Sequence, residues 1–151
     1  MNKRRLLKLA DLLEADAKNK AGIKFDLSTV VTPNPKLPLD AKAVPVSCGT
    51  QACAMGLAAI TGAFKRNGLS YRVDPQENEL FIETTMHGVD TDFDDAASEL
   101  FDITLQEADF LFTPSAYPQR APKTGARGEL LVAKRIRDFV AGKVVAPPED
   151  V

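Results

Sequence analysis

The chain has no tryptophan, a single histidine and only two cysteines in 151 residues. Two cysteines five positions apart and one imidazole do not make the paired-ligand spacing of a structural zinc site. On a helix the two thiols face different ways, too far apart to bridge, so no disulfide is expected. No apolar run approaches the roughly eighteen residues of a membrane span, and the first residues lack the apolar block and small-residue cleavage site of a secretory leader. A cytoplasmic protein with no membrane segment is therefore expected. The most uneven absence is of positive charge. From Val73 to Gln119 there is no Lys or Arg, while twelve acids fall there, Asp74, Glu77, Glu79 and Glu83 first among them. Lys3, Arg4, Arg5 and Lys8 open the chain, and Arg127, Lys134, Arg135, Arg137 and Lys143 lie near its close. Such a layout either steers a charged partner or is neutralised where basic terminal helices pack beside the acidic middle.

What is present is enough for one α+β domain spanning residues 1–151, with its ordered core over about 3–142 and a tail over 144–151. Its organising stretch runs from Ser47 to Phe64. Ala52, Cys53, Gly56, Ala59, Ile60, Ala63 and Phe64 recur at three- and four-residue spacing, which predicts a central buried helix over Thr50 to Asn67. Its smallest residues let neighbouring elements approach the backbone. Ser47 or Thr50 is expected to cap its start, and Asn67-Gly68 to supply a left-handed stop. About five helices and one β-hairpin surround it.

Leu6, Leu9, Leu13 and Ala17 mark an amphipathic first helix from Lys3, followed by a short apolar strand or loop anchored by Phe25 and Leu27. Pro33, Pro35, Pro38 and Pro45 make 33–46 an extended, surface-wrapping loop, and Pro35-Lys36-Leu37-Pro38 matches a P-x-x-P spacing. Leu69, Tyr71 and Val73, then Leu80, Ile82 and Thr84, alternate as a hairpin turned at Asp74 to Asn78. Thr91 or Asp92 caps a helix through Phe101. Thr104-Leu105-Gln106-Glu107 is a capping box for the next, and Glu129 to Val140 forms the last, with Lys134, Arg135 and Arg137 outside.

At Cys48-Gly49-Thr50-x-x-Cys53-Ala54-x-Gly56 the chain resembles a family of small proteins of unestablished role from bacteria and their phages. They share C-G-T-x-x-C-A-x-G, a leucine-rich first helix, a helix matched here by Ile103-Thr104-x-x-Glu107-Ala108-x-x-Leu111-Phe112, and a closing basic helix. Leu57 stands where many relatives carry an aromatic. The resemblance implies the architecture and a phage or mobile-element setting, and transfers no activity.

Cys48, just ahead of a helix, has the setting of an activated thiol, and His87 is the one available imidazole, so a thiol hydrolase using Cys48 and His87 is the alternative enzyme reading. No third, imidazole-orienting group stands out. Asp90-x-Asp92-x-Asp94 begins like a calcium loop, but Asp95 replaces the turn glycine and Phe101 the bidentate Glu, so no metal or cofactor is expected. The two helices around Asp102-Ile103 have helix-turn-helix spacing, yet Gln106, Glu107 and Asp109 are wrong for a DNA-reading helix. Arg135 and Arg137 on the last helix are the only hint of nucleic-acid contact, and an acidic middle that imitates nucleic acid is its converse. The favoured reading is a non-enzymatic interaction protein that meets a protein partner with a basic surface through Asp74, Glu77, Glu79 and Glu83, which have no helix N-terminus to explain them.

Overall fold

The computed structural model describes residues 1–19, 21–47 and 49–148 and shows an α+β domain of five α-helices and two three-stranded sheets. Helix α1 (Lys3–Lys18) buries Leu6, Leu9, Ala10 and Leu13 and lies along α5 (Gly125–Val140), which presents Val132, Ala133, Ile136 and Phe139. Arg137 on α5 ties the pair by donating to both Asp11 and Glu14 of α1, which holds the Glu14 carboxyl below its ordinary pKa.

The central helix α2 covers only Ala54–Thr61, shorter than the expected Thr50 to Asn67. Its predicted first turn is taken into a small sheet. Strand β3 (Gln51–Ala52) pairs parallel with β1 (Lys24–Phe25) and antiparallel with β2 (Val31–Thr32), so its backbone groups serve neighbours distant in sequence. The cap is therefore Cys53, whose Sγ accepts from the Gly56 N–H at 3.4 Å, and not Ser47 or Thr50. The stop comes early at Gly62 (φ 73°), and a 3-10 turn over Lys65–Asn67 then ends at Gly68 (φ 99°). Every residue from Ala54 to Ile60 is buried.

Close packing explains the small residues of α2. A Cβ built on Gly56 would lie 1.6 Å from the Val30 carbonyl oxygen, so the β2 approach passes directly over this helix. Basic residues of α1, unfavourable at their own helix start, serve helix ends elsewhere. Lys8 Nζ donates to Ala63 O at 2.6 Å, just past α2, and Arg5 Nη1 donates to Leu100 O at 2.8 Å, near the end of α3 (Phe93–Phe101), where carbonyls carry unsatisfied negative charge.

Helix α3 and α4 (Leu105–Phe112) form the expected αα-hairpin, and Thr104 and Glu107 complete the capping box. Asp92, not Thr91, occupies the cap position of α3, without a side-chain bond to the helix. Phe64 meets Phe101 edge to face and Phe101 meets Phe112 at a tilt through this part of the core, at ring separations of 5.8 and 6.0 Å.

The last helix begins four residues earlier than Glu129, and Arg135 is not on its outside. Its guanidinium lies 4.3 Å from the Phe110 ring centroid and 3.7 Å from that of Tyr117, and donates to Phe110 O and Ala116 O. Tyr117 is buried, donates to Leu111 O, and has its phenol pKa raised by that burial. Arg135 thus joins α4 to α5, a structural use for a charge that suggested nucleic-acid contact. Arg135→Lys should lose both the planar stack and the forked donors, and lower stability by about 1 to 3 kcal/mol in a denaturant melt; an unchanged midpoint would show the stack to be incidental.

Candidate functional site

The second sheet carries the acidic residues singled out from the sequence. Strand β4 (Leu69–Gln76) pairs antiparallel with β5 (Glu79–Met86), which continues through His87-Gly88 into β6 (Val89–Asp90). The strands run further than expected, so the turn is Glu77-Asn78, with Glu77 in the left-handed region at φ 51°. Pro75 is accommodated because β4 is an edge strand.

Alternation divides the hairpin into two faces. Leu69, Tyr71, Val73 and Pro75 share one with Leu80, Ile82, Thr84 and Met86, and the buried members of that set lie nearest α2. Leu80 and Ile82 are half-buried on this side, as the pattern requires. The Tyr71 hydroxyl accepts from Val44 N at 3.0 Å, which fastens the proline loop to the strand. Residues 33–46 contain no regular element.

The opposite face carries Arg72, Asp74 and Gln76 against Glu83, Phe81 and Glu79. Asp74, Glu79 and Glu83 therefore stand on one surface around an exposed Phe81, 42% accessible, and Glu77 extends them at the turn. The four acids are not equivalent. Arg72 lies 3.7 Å from Asp74 and 2.8 Å from Asp90, and it faces Glu83 across the strands. That guanidinium holds the Asp90 carboxyl below its usual range. Asp74 thus has a local partner, which sequence spacing did not show because Arg72 sits one residue outside the base-free stretch. Glu77 and Glu79 have no ion pair among the described residues.

Beside the hairpin end lies a cavity of about 200 Å³ between the proline loop and β5. Pro33, Asn34, Leu37 and Leu39 wall one side, and Asn78, Glu79 and Leu80 the other. Glu79 thus borders both the exposed Phe81 surface and this cavity. The sequence showed the loop and the hairpin separately; their meeting is a tertiary fact with no local signal.

Of the Cys48 and His87 pair, only the histidine falls among the described residues. Cys48 lies outside the described residues. His87, in a left-handed turn at φ 52°, is exposed, sits over Gly68 and places Nε2 3.3 Å from Glu99 Oε1. Gly49 lies against the Asn34 side chain. Cys53 is buried and free, and its burial pushes the thiol pKa up, the opposite of activation. Asp92, Asp94 and Asp95 bring a carboxylate oxygen each within 4.8 Å of one another at the head of α3, where the helix dipole favours negative charge.

Among the described residues no helix is long and apolar enough to cross a membrane. Comparisons with protein-family models, with curated proteins and with solved structures find no match for this chain.

Proposed function

We propose that this protein is a non-enzymatic interaction protein whose hairpin takes a basic segment of a protein partner. The observation that carries the reading is the exposed Phe81, opposite Asp74 and flanked along its strand by Glu79 and Glu83, on a face left open while the other packs inward. An apolar anchor within a charged rim is the usual anatomy of a protein interface. The acids select and orient a cationic partner, and the aromatic supplies the contact that persists once water has left. Glu77 and Glu79, without an ion pair among the described residues, carry most of the attraction, while Arg72 tempers Asp74 and Glu83. The resemblance borne by Cys48-Gly49-Thr50 lends this reading a setting and no activity, and no observation favours the Cys48 and His87 hydrolase over it.

The test uses the purified protein and the partner it captures. Glu79→Lys with Glu83→Lys should leave the fold intact and weaken affinity roughly tenfold or more near 50 mM salt, with a much smaller loss near 500 mM. Phe81→Ala should weaken binding at both. Calorimetric titrations in which the folded double reversal binds as tightly as the original would leave the acidic face as a solvated surface only.

A further inference from the structure

A second cavity lies at the other end of the charge distribution, where α1 meets the 3-10 turn after α2. It encloses about 360 Å³ and is lined by Asn2, Arg4, Arg5, Lys8, Phe64 and Asn67. Three cations and two amides face it, and no carboxylate lines it. The turn that contributes Asn67 adds two more exposed cations, Lys65 and Arg66.

Two of the lining cations are held in place before any ligand arrives. Lys8 is fixed by its bond to Ala63 O and lies 5.0 Å from the centroid of the buried Phe64 ring, and Arg5 is fixed by its bond to Leu100 O. Each bond uses one donor, which leaves Lys8 two N–H groups and Arg5 the rest of its fork. The Asn2 carboxamide oxygen accepts from Arg5 N, so its NH₂ remains available as a donor. Arg4 is exposed and has no ion pair or side-chain hydrogen bond among the described residues. Donors fixed in this way lose little freedom when an anion binds, and their number suits an ion with three or four acceptor oxygens better than a carboxylate with two.

We propose that this cavity binds the phosphate group of a small phosphomonoester. Its volume exceeds a bare phosphate ion, so the group enters with part of the molecule that bears it. Arg4 is the member that closes on the ligand, Arg5, Lys8 and Asn2 are held by their own bonds, and Asn67 lines the wall. The site is independent of the hairpin surface, with which it shares no residue.

The experiment is an amide NMR titration of the full chain with inorganic phosphate, with a nucleoside monophosphate and with sodium chloride at matched ionic strength. Saturable shifts at Asn2, Arg5, Lys8 and Asn67 are expected with both phosphates, on the order of millimolar affinity for the free ion and tighter for the ester. Arg4→Gln should weaken phosphate binding roughly fivefold or more, and Lys8→Met, which retains the apolar stem, should weaken it similarly. Glu79→Lys with Glu83→Lys should leave it unchanged, so a failure here is separable from a failure of the hairpin reading. Shifts that chloride reproduces, or an Arg4→Gln protein that binds phosphate as before, would overturn the proposal. So would binding confined to a single-stranded oligonucleotide with steep salt dependence, since that marks a diffuse polyanion surface.

Discussion

Gly56→Ala is expected to cost about 3 kcal/mol and to lower the melting temperature by roughly 6 to 12 °C in a thermal scan followed by circular dichroism. The reason is local and steric. An added methyl would meet the Val30 carbonyl oxygen at 1.6 Å and the Val30 carbonyl carbon at 2.7 Å, and both are backbone atoms that cannot rotate away. Cys53 N donates to Thr29 O at 2.7 Å next to this crossing, so retreat of the segment also strains the helix cap. Gly62→Ala is the control. Its Cβ would meet nothing within 4 Å, and only its φ of 73° opposes a side chain, for a cost of about 1 kcal/mol. Equal losses from the two substitutions would mean that the Val30 segment yields to the added methyl, since Gly56 lies within α2 and has no left-handed angle to lose.

The second large effect lies between the terminal helices. Glu129 on α5 is 2% exposed, and burial, reinforced by the neighbouring Asp16 carboxyl of α1, pushes its pKa up to about 9. One carboxylate oxygen of each, Asp16 Oδ2 and Glu129 Oε2, has no hydrogen-bond partner among the described residues, whereas Asp16 Oδ1 accepts from Ile23 N at 3.3 Å. Between the ordinary carboxyl pKa of 4.5 and about 9, the folded chain holds a proton on Glu129 that the unfolded chain has released. Stability must therefore fall as pH rises across that window, because the folded state binds the extra proton. Glu129→Gln removes the titration. Each pH unit within the window is worth about 1.4 kcal/mol at most, and partial solvation of the buried acid reduces the sum. The variant should be more stable than the original by about 2 to 4 kcal/mol at pH 8, with the gap closing towards pH 4.5. Denaturant midpoints that differ by the same amount at both pH values would show that Glu129 is not protonated in the fold.

These two sites also mark where sequence reading succeeds and where it stops. The recurrence of Ala52, Gly56 and Ala59 announced a helix that others approach closely, and Gly56 is that point of approach. Leu6, Leu9 and Leu13, and the capping box at Thr104 and Glu107, are local signals and appear where expected. The ends of α2 were not legible, because Gln51 and Ala52 give their backbone bonds to Lys24, Phe25, Val31 and Thr32, a choice made by segments far from them along the chain. Glu129 looked like an ordinary acid opening a basic helix; only the docking of α1 onto α5 buries it. The hairpin acids were legible as a charge pattern, but their sharing of one face with Phe81 depended on a register that the turn at Glu77-Asn78 sets. The cavity at Arg4, Arg5 and Lys8 had a visible charge signal and no visible shape.

The unpaired side of β4 has a consequence for how copies of this protein behave towards one another. An eight-residue edge strand would ordinarily invite a second chain to zip along it. Counting back from the closing pair Gln76 and Glu79, Pro75 falls where a backbone N–H would point away from β5, and proline supplies none. A strand laid along the full length of that edge finds no N–H donor for the one of its carbonyls that faces Pro75. The molecule can thus hold out a flat aromatic and acidic face at high concentration while refusing the fibril-like stacking that so exposed a sheet would otherwise permit.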